Sequence, residues 1–242
     1  MIGTVAGLTA VTVGAGVVAH GAFHRNSPIF GSVITQLPRP PRRRHGDTAS
    51  PNHTVSLTFD DGPNPDATPR ILDALATHGV KATFFFLGRH VERWPQLVAR
   101  AAAEGHQIGN HGYFHRKLHF KSAVYVRDDL ERGKQAIEAA GGGTPRFFRA
   151  PHGFRSPWVT YIAHSLGERT VGWSLGVWDS ARPGVDAIVE RTVSGTRPRS
   201  ILLLHDGDGY DPFGDRRQTA EAVPRIIEEL TQRGYSFNTL PA

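Results

Sequence analysis

Two adjacent carboxylates, Asp60 and Asp61, end the apolar stretch of the sequence VSLTFDDGPNP, residues 55–65. The Asp-Gly-Pro sequence that begins at Asp61 is typical of a turn, which accounts for one of the two acids. Strand alternation places Asp60 on the same face as Ser56 and Thr58. A carboxylate held there needs a cation, a metal ion or a hydrogen-bond donor close by. The pair therefore predicts a functional site where this strand ends.

Two histidines, His111 and His115, follow a later strand-like stretch in the sequence NHGYFH. At a spacing of four residues, their imidazoles would lie on one face of a helical turn and could bind one metal ion. Two nitrogens and one carboxylate form a common ligand set that leaves a position open for water. Thirteen histidines in one chain also produce such spacings by chance, and His119 is a further candidate. His106, inside the strand, is interpreted as a core histidine.

Ionisable residues also stand at the ends of three more strand-like stretches. The sequence FFRAPHG contains Arg149 and His152, GVWD ends in Asp179, and LLLHDGDG contains His205. In a parallel α/β barrel the active residues collect at the carboxyl ends of the strands. Five strand ends with such groups predict one shared site.

The elements that must position these groups alternate between strand and amphipathic helix from about Asn52 onward. The predicted strands cover residues 54–59, 82–87, 106–110, 146–150, 169–175, 200–205 and 235–240. The predicted helices cover residues 68–78, 95–104, 122–140, 157–166, 185–193 and 217–233. Continuous apolar strands that alternate with helices favour a parallel sheet. The sequence therefore predicts an α/β protein whose sheet closes into a barrel.

The composition narrows the class of protein. A chain of 242 residues has the length of one α/β barrel, and 39% hydrophobic residues suffice for a core. The chain has no cysteine, which excludes disulfides, thiolate metal sites and cysteine nucleophiles. Thirteen histidines against a single methionine favour metal binding or acid–base chemistry.

The net charge of +6 is concentrated before Pro51. That part contains one acid, Asp47, and five arginines: Arg25, Arg39, Arg42, Arg43 and Arg44. The rest of the chain holds 23 of the 28 basic residues and 21 of the 22 acids, and is therefore nearly neutral. This balance argues against a nucleic-acid-binding domain. The basic, Pro-rich sequence PRPPRRRH is interpreted as a solvated linker or a membrane-proximal tail.

Five short sequences together resemble the polysaccharide deacetylases, the NodB-type domain of carbohydrate esterase family 4. They are TFDDGP, NHGYFH, RAPHG, WSLGVWD and LLLHDG, and they occur in the family's order within residues 52–242. The resemblance implies a distorted, incomplete (β/α) barrel. It also implies a hydrolase that removes acetyl groups from polysaccharides or oligosaccharides containing N-acetylglucosamine, of the peptidoglycan or chitin type.

The resemblance implies a role for each of the two adjacent carboxylates. Asp61, His111 and His115 resemble the family's metal triad, whose ion is usually zinc, with cobalt or nickel as alternatives. Asp60 resembles the catalytic base, and Arg149 the group that orients it. One carboxylate is thus expected to hold the metal while the other takes a proton from water.

The remaining implied roles concern the leaving group and the walls of the site. His205 resembles the general acid, and Asp179 the partner of that histidine. The family commonly shows D-x-x-D-W where this chain has Gly-Val-Trp-Asp-Ser, so Trp178 is expected to supply the missing aromatic wall. His152 stands where a tyrosine is frequent, and its backbone N–H is expected to stabilise the oxyanion.

Three alternatives to this interpretation remain. An O-acetyl esterase acting on an acetylated polysaccharide such as xylan would use the same machinery. A non-catalytic carbohydrate-binding protein could use the same scaffold, although all the proposed positions keep functional residue types. The sequence GWSLG matches the G-x-S-x-G pattern of a serine hydrolase around Ser174, but Pro183 and Gly184 follow where a helix is required.

The acid-rich sequence HDGDGYDPFGDRR resembles a calcium loop but has Arg217 where the bidentate glutamate is needed.

The chain organisation is predicted from the N-terminal part and the resemblance together. Residues 2–19 carry no charge, which is typical of a membrane span or an export signal. We predict a membrane anchor or signal segment over residues 1–22, a basic Pro-rich linker over 23–51 and the catalytic domain over 52–242. The expected location is the cell envelope, with the cytoplasm as an alternative, and a monomer that acts on an acetylated glycan is expected.

Overall fold

A parallel sheet bent into part of a barrel forms the centre of the computed structural model, which describes residues 16–39 and 53–241. Its strands are β1 (Thr54–Asp60), β2 (Thr83–Phe86), β3 (Gln107–Asn110), β4 (Phe147–Phe148), β5 (Arg169–Thr170), β6 (Leu175–Gly176), β7 (Ile201–His205) and β8 (Ser236–Phe237). They lie in the order β5-β4-β3-β2-β1-β7-β6, and β8 pairs with the start of β1. The predicted α/β fold with an incomplete barrel is confirmed.

Eight helices accompany this sheet in the described residues. They are α1 (residues 16–23), α2 (Ala67–Thr77), α3 (Gly88–Val91), α4 (Pro95–Ala103), α5 (Ala123–Ala139), α6 (Pro157–Ser165), α7 (Val185–Gly195) and α8 (Arg217–Gln232). The six predicted helices correspond to α2 and α4–α8, with boundaries that agree within two residues. The short helix α3 and the 3₁₀ turns Leu118–Phe120, Pro151–Gly153 and Asp179–Ala181 were not predicted.

Alternation along β1 separates the core from the site. Val55, Leu57 and Phe59 are fully buried in the cluster between sheet and helices. Burial of each such large side chain contributes about 1.5–3 kcal/mol. Asp60 points to the other face, and it pairs in register with Phe85 of β2 and with His205 of β7. The register therefore brings two predicted catalytic residues to neighbouring strand ends.

The strand predicted over residues 169–175 is wrong as a single element. It is two strands, β5 and β6, which lie at opposite ends of the sheet order. Between them, the backbone of Gly172 bonds to groups outside β5 and β6. Its N–H donates to Ile34 O at 2.8 Å, and its carbonyl accepts from Arg149 Nη2 at 2.8 Å. The chain therefore crosses the open side of the barrel at this point instead of continuing along one edge.

The described part of the predicted linker packs against the barrel. Ile34 forms a bridge with Val171, and two residues later Gln36 forms one with Ser200. Leu37 is buried in the apolar cluster at the amino ends of the strands, next to Ile201. Part of the segment before residue 38 therefore packs against the barrel, whereas Pro38 and Arg39, the described residues of PRPPRRRH, are exposed. Residues 40–51 of that linker lie outside the described residues.

The predicted anchor or signal segment, residues 1–22, is described only from residue 16 onward, where α1 begins. Residues 16–20 of α1 are exposed. In residues 16–39 and 53–241, we find no helix with both the length and the apolar character that crossing a membrane requires. The division of the chain into anchor, linker and catalytic domain stays a prediction.

Candidate active site

Asp60 is held by a buried arginine at the end of β1. Arg149 Nη1 donates to Asp60 Oδ1 at 2.7 Å and to Thr58 Oγ1 at 2.8 Å. The alternation that places Thr58 and Asp60 on one strand face is therefore confirmed, because a single nitrogen contacts both side chains. Arg149 is fully buried, and its guanidinium also lies 4.2 Å from the ring centroid of Phe85. Fixed in this way, Arg149 leaves only the Asp60 Oδ2 oxygen free for chemistry.

Asp61, His111 and His115 converge on one point beside Asp60. Asp61 Oδ1 lies 3.2 Å from His111 Nε2 and 3.0 Å from His115 Nε2. One ligand atom from each residue lies within 4.8 Å of the others, and all three residues are buried. This is the N₂O donor set that zinc sites with an open position use.

The protonation pattern of the three side chains fits a metal ion. His111 Nδ1 lies 2.8 Å from the backbone carbonyl of Arg149, an acceptor, so this nitrogen carries the proton. In the neutral ring, the Nε2 lone pair then faces Asp61 Oδ1, so that one acceptor faces another. A proton on Nε2 or a metal ion between the two atoms would relieve this contact. Burial raises the pKa of the Asp61 carboxyl, but the charges and hydrogen bonds of His115 and His111 outweigh it and hold the pKa well below its usual value.

The backbone around Asp61 is bent to present its carboxylate. Asp61 has φ of 75°, in the left-handed region that non-glycine residues rarely adopt. His90 Nδ1 lies 2.9 Å from the Asp61 carbonyl oxygen, and Leu87 N donates to Gly62 O at 2.9 Å. Residues of α3 and its preceding loop thus fix the turn after β1, and this positioning role of His90 was not predicted.

A second buried acid, Asp129 of α5, positions the loop that carries His115. Asp129 Oδ1 accepts from Phe114 N at 3.0 Å, and the carboxylate lies directly against Gly112, whose φ is 76°. A side chain at position 112 would collide with it. Burial raises the pKa of Asp129. The sequence did not point to Asp129, because it lies on a helix distant along the chain from the two histidines.

We expect Asp129→Ala to lower zinc affinity by about 10–100-fold, as loss of a group that supports a ligand generally does. The free energy of unfolding should fall by about 1–3 kcal/mol, because the partly buried N–H of Phe114 loses its acceptor. Calorimetric zinc titration and thermal unfolding measure the two effects. Asp128→Ala is the matched control, since that neighbouring side chain is 60% exposed. Equal zinc affinity in both variants and in the wild type would contradict the positioning role.

His205 and Asp179 form a hydrogen-bonded pair at the end of β7, and His205 lines the same cleft as the candidate metal ligands. Asp179 Oδ1 lies 2.9 Å from His205 Nδ1, while Asp179 Oδ2 accepts from the backbone N of His205 and from Thr219 Oγ1, both at 2.8 Å. Burial on its own lowers the pKa of His205, but the charge and hydrogen bond of Asp179 raise it to about 9. The imidazole is therefore protonated at neutral pH, with Nε2 as its free ring nitrogen.

We expect Asp179→Asn to shift the titration of His205 to lower pH. In the wild type the folded pKa of about 9 exceeds the ordinary value of 6.5, so the pair stabilises fully below pH 6.5 and this contribution is lost as the pH rises through 9. Activity that requires the protonated ring should fall over the same range. NMR titration of the ring and a pH–rate profile measure the shift. Asp186→Asn, at a side chain that is 91% exposed, is the control and should leave both curves in place.

An additional buried acid, Asp206, follows His205. Thr68 Oγ1 donates to Asp206 Oδ2 at 2.6 Å, and burial raises the pKa of Asp206 to about 7. Its carboxylate lies against Gly62, and its backbone N donates to Asp60 O at 3.1 Å. Asp206 therefore holds the chain after β7 against the turn after β1, a contact that the sequence did not predict.

The predicted residues share one cleft of about 720 Å³ at the carboxyl ends of the strands. Arg149 and Asp179 lie behind its wall, and the other seven line it: Asp60, Asp61, His111, His115, His152, Trp178 and His205. Trp178 is 75% exposed at the rim. The cleft is also lined by Trp173 and Tyr210, which sequence analysis missed. Trp173 lies in the sequence WSLGVWD and Tyr210 in HDGDGYDPFGDRR. In neither case does the spacing distinguish an aromatic residue of the cleft from one of the hydrophobic core.

The ring of His152 packs against His115, one of the three candidate metal ligands. His152 has φ of 58°, its ring centroid lies 4.6 Å from that of His115, and its Nε2 lies 3.0 Å from Tyr210 Oη. Burial, followed by the charge of His115, lowers the pKa of His152 to about 4. A neutral imidazole therefore covers one side of His115. The expected contribution of the His152 backbone N–H to an oxyanion site stays a prediction.

The other candidate residues lie away from this chemistry. His119 packs among Phe23, Phe120 and Phe154 and is not part of the metal cluster. Ser174 Oγ bonds the backbone of Ile201, accepting from its N at 2.9 Å. This hydroxyl therefore stabilises the backbone of β7 and is not placed as a nucleophile.

Two further interpretations concern structural roles. His106 is 6% exposed, and its Nδ1 accepts from Ala82 N at 3.2 Å, which confirms it as a core histidine. In the acid-rich loop, Asp208 accepts from Tyr210 N and Arg216 Nη2, and Asp215 pairs with Arg217. These carboxylates are therefore engaged within the protein.

Comparison with known proteins agrees with this geometry. A family model described as polysaccharide deacetylase matches residues 47–171. A chitooligosaccharide deacetylase from Bradyrhizobium sp. is 40% identical over 83% of this chain and 94% of its own. The structure of a peptidoglycan N-acetylglucosamine deacetylase, solved with a hydroxamate-type benzamide ligand, has a TM-score of 0.73 and 34% identity over 79% of this chain and 87% of its own.

A pseudoenzyme is also among the similar solved structures. This carbohydrate esterase family 4 pseudoenzyme from Bacillus anthracis has a TM-score of 0.72 and 30% identity, over 78% of this chain and 64% of its own. The matches to the family model and to the Bradyrhizobium relative extend over more than half of the chain. The chain therefore belongs to the polysaccharide deacetylase family.

Proposed function

We propose that this protein is a metal-dependent N-deacetylase that removes acetyl groups from glycans containing N-acetylglucosamine. The observation that carries the proposal is the arrangement of three units around one cleft. A buried donor set of Asp61, His111 and His115 lies beside Asp60, whose second oxygen is free, and the protonated His205 lines the same cleft. Hydrolysis of an amide needs such a division of tasks, because the carbonyl is a poor electrophile and the amine a poor leaving group.

The donor set supports a zinc ion, with cobalt or nickel as alternatives. A divalent ion bound there supplies Lewis acidity, which polarises a carbonyl group and acidifies water. Asp61, His111 and His115 would hold it. The hydrogen bond between His111 Nδ1 and the Arg149 carbonyl orients that ring and links the metal site to the residue that fixes Asp60.

Asp60 is proposed to be the general base. Its Oδ1 is bound to Arg149, while Oδ2 lies 3.8 Å from His111 Nε2 and thus faces the space beside the donor set. From there it can accept a proton from the attacking water. Arg149 acts as a positioning residue, because its contacts with Thr58 and Gly172 keep the carboxylate in one orientation.

His205 is proposed to be the general acid. Asp179 fixes the ring through Nδ1 and keeps it protonated, so that Nε2 can donate a proton to the departing nitrogen. The two proton-transfer groups belong to strand residues that are paired in register, Asp60 of β1 and His205 of β7. They can therefore act on two sides of a single acetamido group.

The proposed substrate class rests on the cleft and on the relatives. The similar proteins carry the names chitooligosaccharide deacetylase and peptidoglycan N-acetylglucosamine deacetylase, so an N-acetylglucosamine glycan is the common element. The exposed ring of Trp178 at the rim is suited to stacking on a sugar face, and His152 is proposed to contribute to the oxyanion site. A location in the cell envelope and a monomeric state are proposed with this substrate.

The experiment measures acetate release by the full-length protein from N-acetylglucosamine oligomers and from O-acetylated xylan. Chelator-treated and zinc-reconstituted protein are compared on both substrates. We expect zinc-dependent release from the oligomers at the higher kcat/KM. Preference for xylan would support the O-acetyl esterase instead. Zinc-independent release would contradict the metal-dependent mechanism, and no release from either substrate would favour a non-catalytic carbohydrate-binding protein.

A further inference from the structure

One wall of the cleft is built partly from residues that precede the region matched by the family model. Phe23, His24 and Arg25 line the same cleft as Asp60 and His205, whereas the family match begins at residue 47. We call residues 23–25 together with Lys117 and Phe154 the N-terminal wall. This wall stands beside the deacetylase machinery and was not anticipated from the sequence.

A buried arginine ties the N-terminal wall to the barrel. Arg155 is 1% exposed, and its Nη2 donates to Ser27 O at 2.7 Å and to Arg25 O at 3.4 Å. Its backbone N donates to Ala22 O at 3.1 Å. On the other side, Asn26 Nδ2 donates to Trp173 O at 2.9 Å. Buried hydrogen bonds on both sides of residues 23–25 give this segment a defined position in the cleft.

The apolar part of the wall consists of edge-to-face aromatic contacts. The Phe23 ring centroid lies 5.6 Å from that of Phe154 and 4.9 Å from that of His119. Phe23 nevertheless stays 50% exposed. An exposed ring supported from behind by other rings is suited to contact the apolar face of a sugar.

Two cations of the wall have no acidic partner among the described residues. The Arg25 guanidinium lies 5.3 Å from the Trp173 ring centroid, and Lys117 Nζ lies 5.9 Å from that of Phe154. Neither forms an ion pair with any residue of the described chain. Both are exposed and line the cleft. Because arginine can stack on an aromatic face while its N–H edge binds an anion, the contact with Trp173 leaves Arg25 able to bind one.

The two cations line the same cleft and lie against consecutive residues, Gly153 and Phe154. Lys117 lies over the ring of Phe154, and Arg25 lies so close to Gly153 that a Cβ there would come within 2.7 Å of Arg25 Cβ. Of the acids in the cleft, Asp60 is paired with Arg149 and Asp208 with Arg216, and Asp61 belongs to the metal donor set. None of the acids that line the described cleft therefore forms an ion pair with Arg25 or Lys117.

We propose that the N-terminal wall is a subsite for an anionic substituent, a carboxylate or a phosphate, on a sugar next to the one that is deacetylated. Arg25 and Lys117 bind the anion and Phe23 contacts the sugar ring. This inference rests on the proposed function, which supplies the glycan and its position. It implies a preference for an acidic glycan over a neutral N-acetylglucosamine oligomer.

The test compares the full-length protein and two variants, Arg25→Gln and Lys117→Gln, on three oligomers of equal length. One is neutral, one carries a carboxylate on alternate sugars, and one carries phosphate groups. Dissociation constants are measured by calorimetry with metal-free protein, and kcat/KM for acetate release is measured with zinc. Lys81→Gln removes the same charge in the segment that precedes β2, away from the cleft, and is the matched control.

We expect the wild type to bind an anionic oligomer more tightly than the neutral one, and each cleft variant to lose about tenfold on that oligomer only. The anion with the larger loss identifies the substituent. Equal binding of all three oligomers by the wild type, or equal losses on neutral and anionic oligomers, would overturn the inference. Charge-dependent binding without acetate release would leave the subsite standing and refute the proposed activity instead.

Discussion

Asp60→Asn is expected to lower kcat for acetate release by about 10²–10⁴-fold while the affinity for zinc stays close to that of the wild type. The amide has the size of the carboxylate but cannot accept a proton from water. Zinc binding should survive, because the proposed ligands are Asp61, His111 and His115. Steady-state kinetics and zinc titration on the same preparation separate the two effects.

Thermal unfolding is the necessary companion measurement for Asp60→Asn. The substitution removes the charge that faces Arg149, which is fully buried and bonded to Asp60 Oδ1 at 2.7 Å. Loss of a partner from a buried pair destabilises by about 3–5 kcal/mol. The assay is therefore run well below the unfolding temperature of the variant. Near-normal turnover by folded Asp60→Asn would show that another group accepts the proton.

His111→Ala is expected to abolish both bound zinc and acetate release. The substitution removes one of three ligands, together with the Nδ1 contact to the Arg149 carbonyl. Metal analysis after dialysis should find about one zinc per chain in the wild type and nearly none in the variant.

His119→Ala is the matched control for His111→Ala. His119 continues the four-residue spacing of the histidines, but its ring packs between Phe23 and Phe120 outside the donor set. Its removal should leave the zinc content unchanged. Loss of zinc from His119→Ala together with retention in His111→Ala would mean that the donor set is wrong.

Much of the site could be predicted because its signals are local in the sequence. Period-two alternation along β1 placed Thr58 and Asp60 on one face, and both contact Arg149. The four-residue spacing of His111 and His115 predicted that the two rings reach one point, and they do. The backbone differs from a helical turn, because His115 has φ of 57°.

The features that could not be predicted depend on contacts between distant parts of the chain. Residues 169–175 include the β-branched and aromatic residues typical of a strand, and only their pairing with opposite sheet edges divides them into β5 and β6. Asp129 supports the loop that carries His115 from helix α5, so no spacing links it to the site. Asp206 follows His205 in the sequence, but its contact with the turn after β1 depends on the pairing of β1 with β7. The N-terminal wall could not be predicted either, because it depends on contacts of residues 23–25 with distant parts of the chain. Their composition alone predicted a linker.

The most direct test of the metal-dependent deacetylase is the stoichiometry of acetate and free amine formed from an N-acetylglucosamine oligomer. We expect one free amine for each acetate with zinc-loaded protein, no product with chelator, and near-normal rates for Ser174→Ala, whose hydroxyl bonds the Ile201 backbone. Asp60→Asn should form both products at the strongly reduced rate given above. Product formation that survives the chelator and Asp60→Asn but disappears in Ser174→Ala would contradict the account.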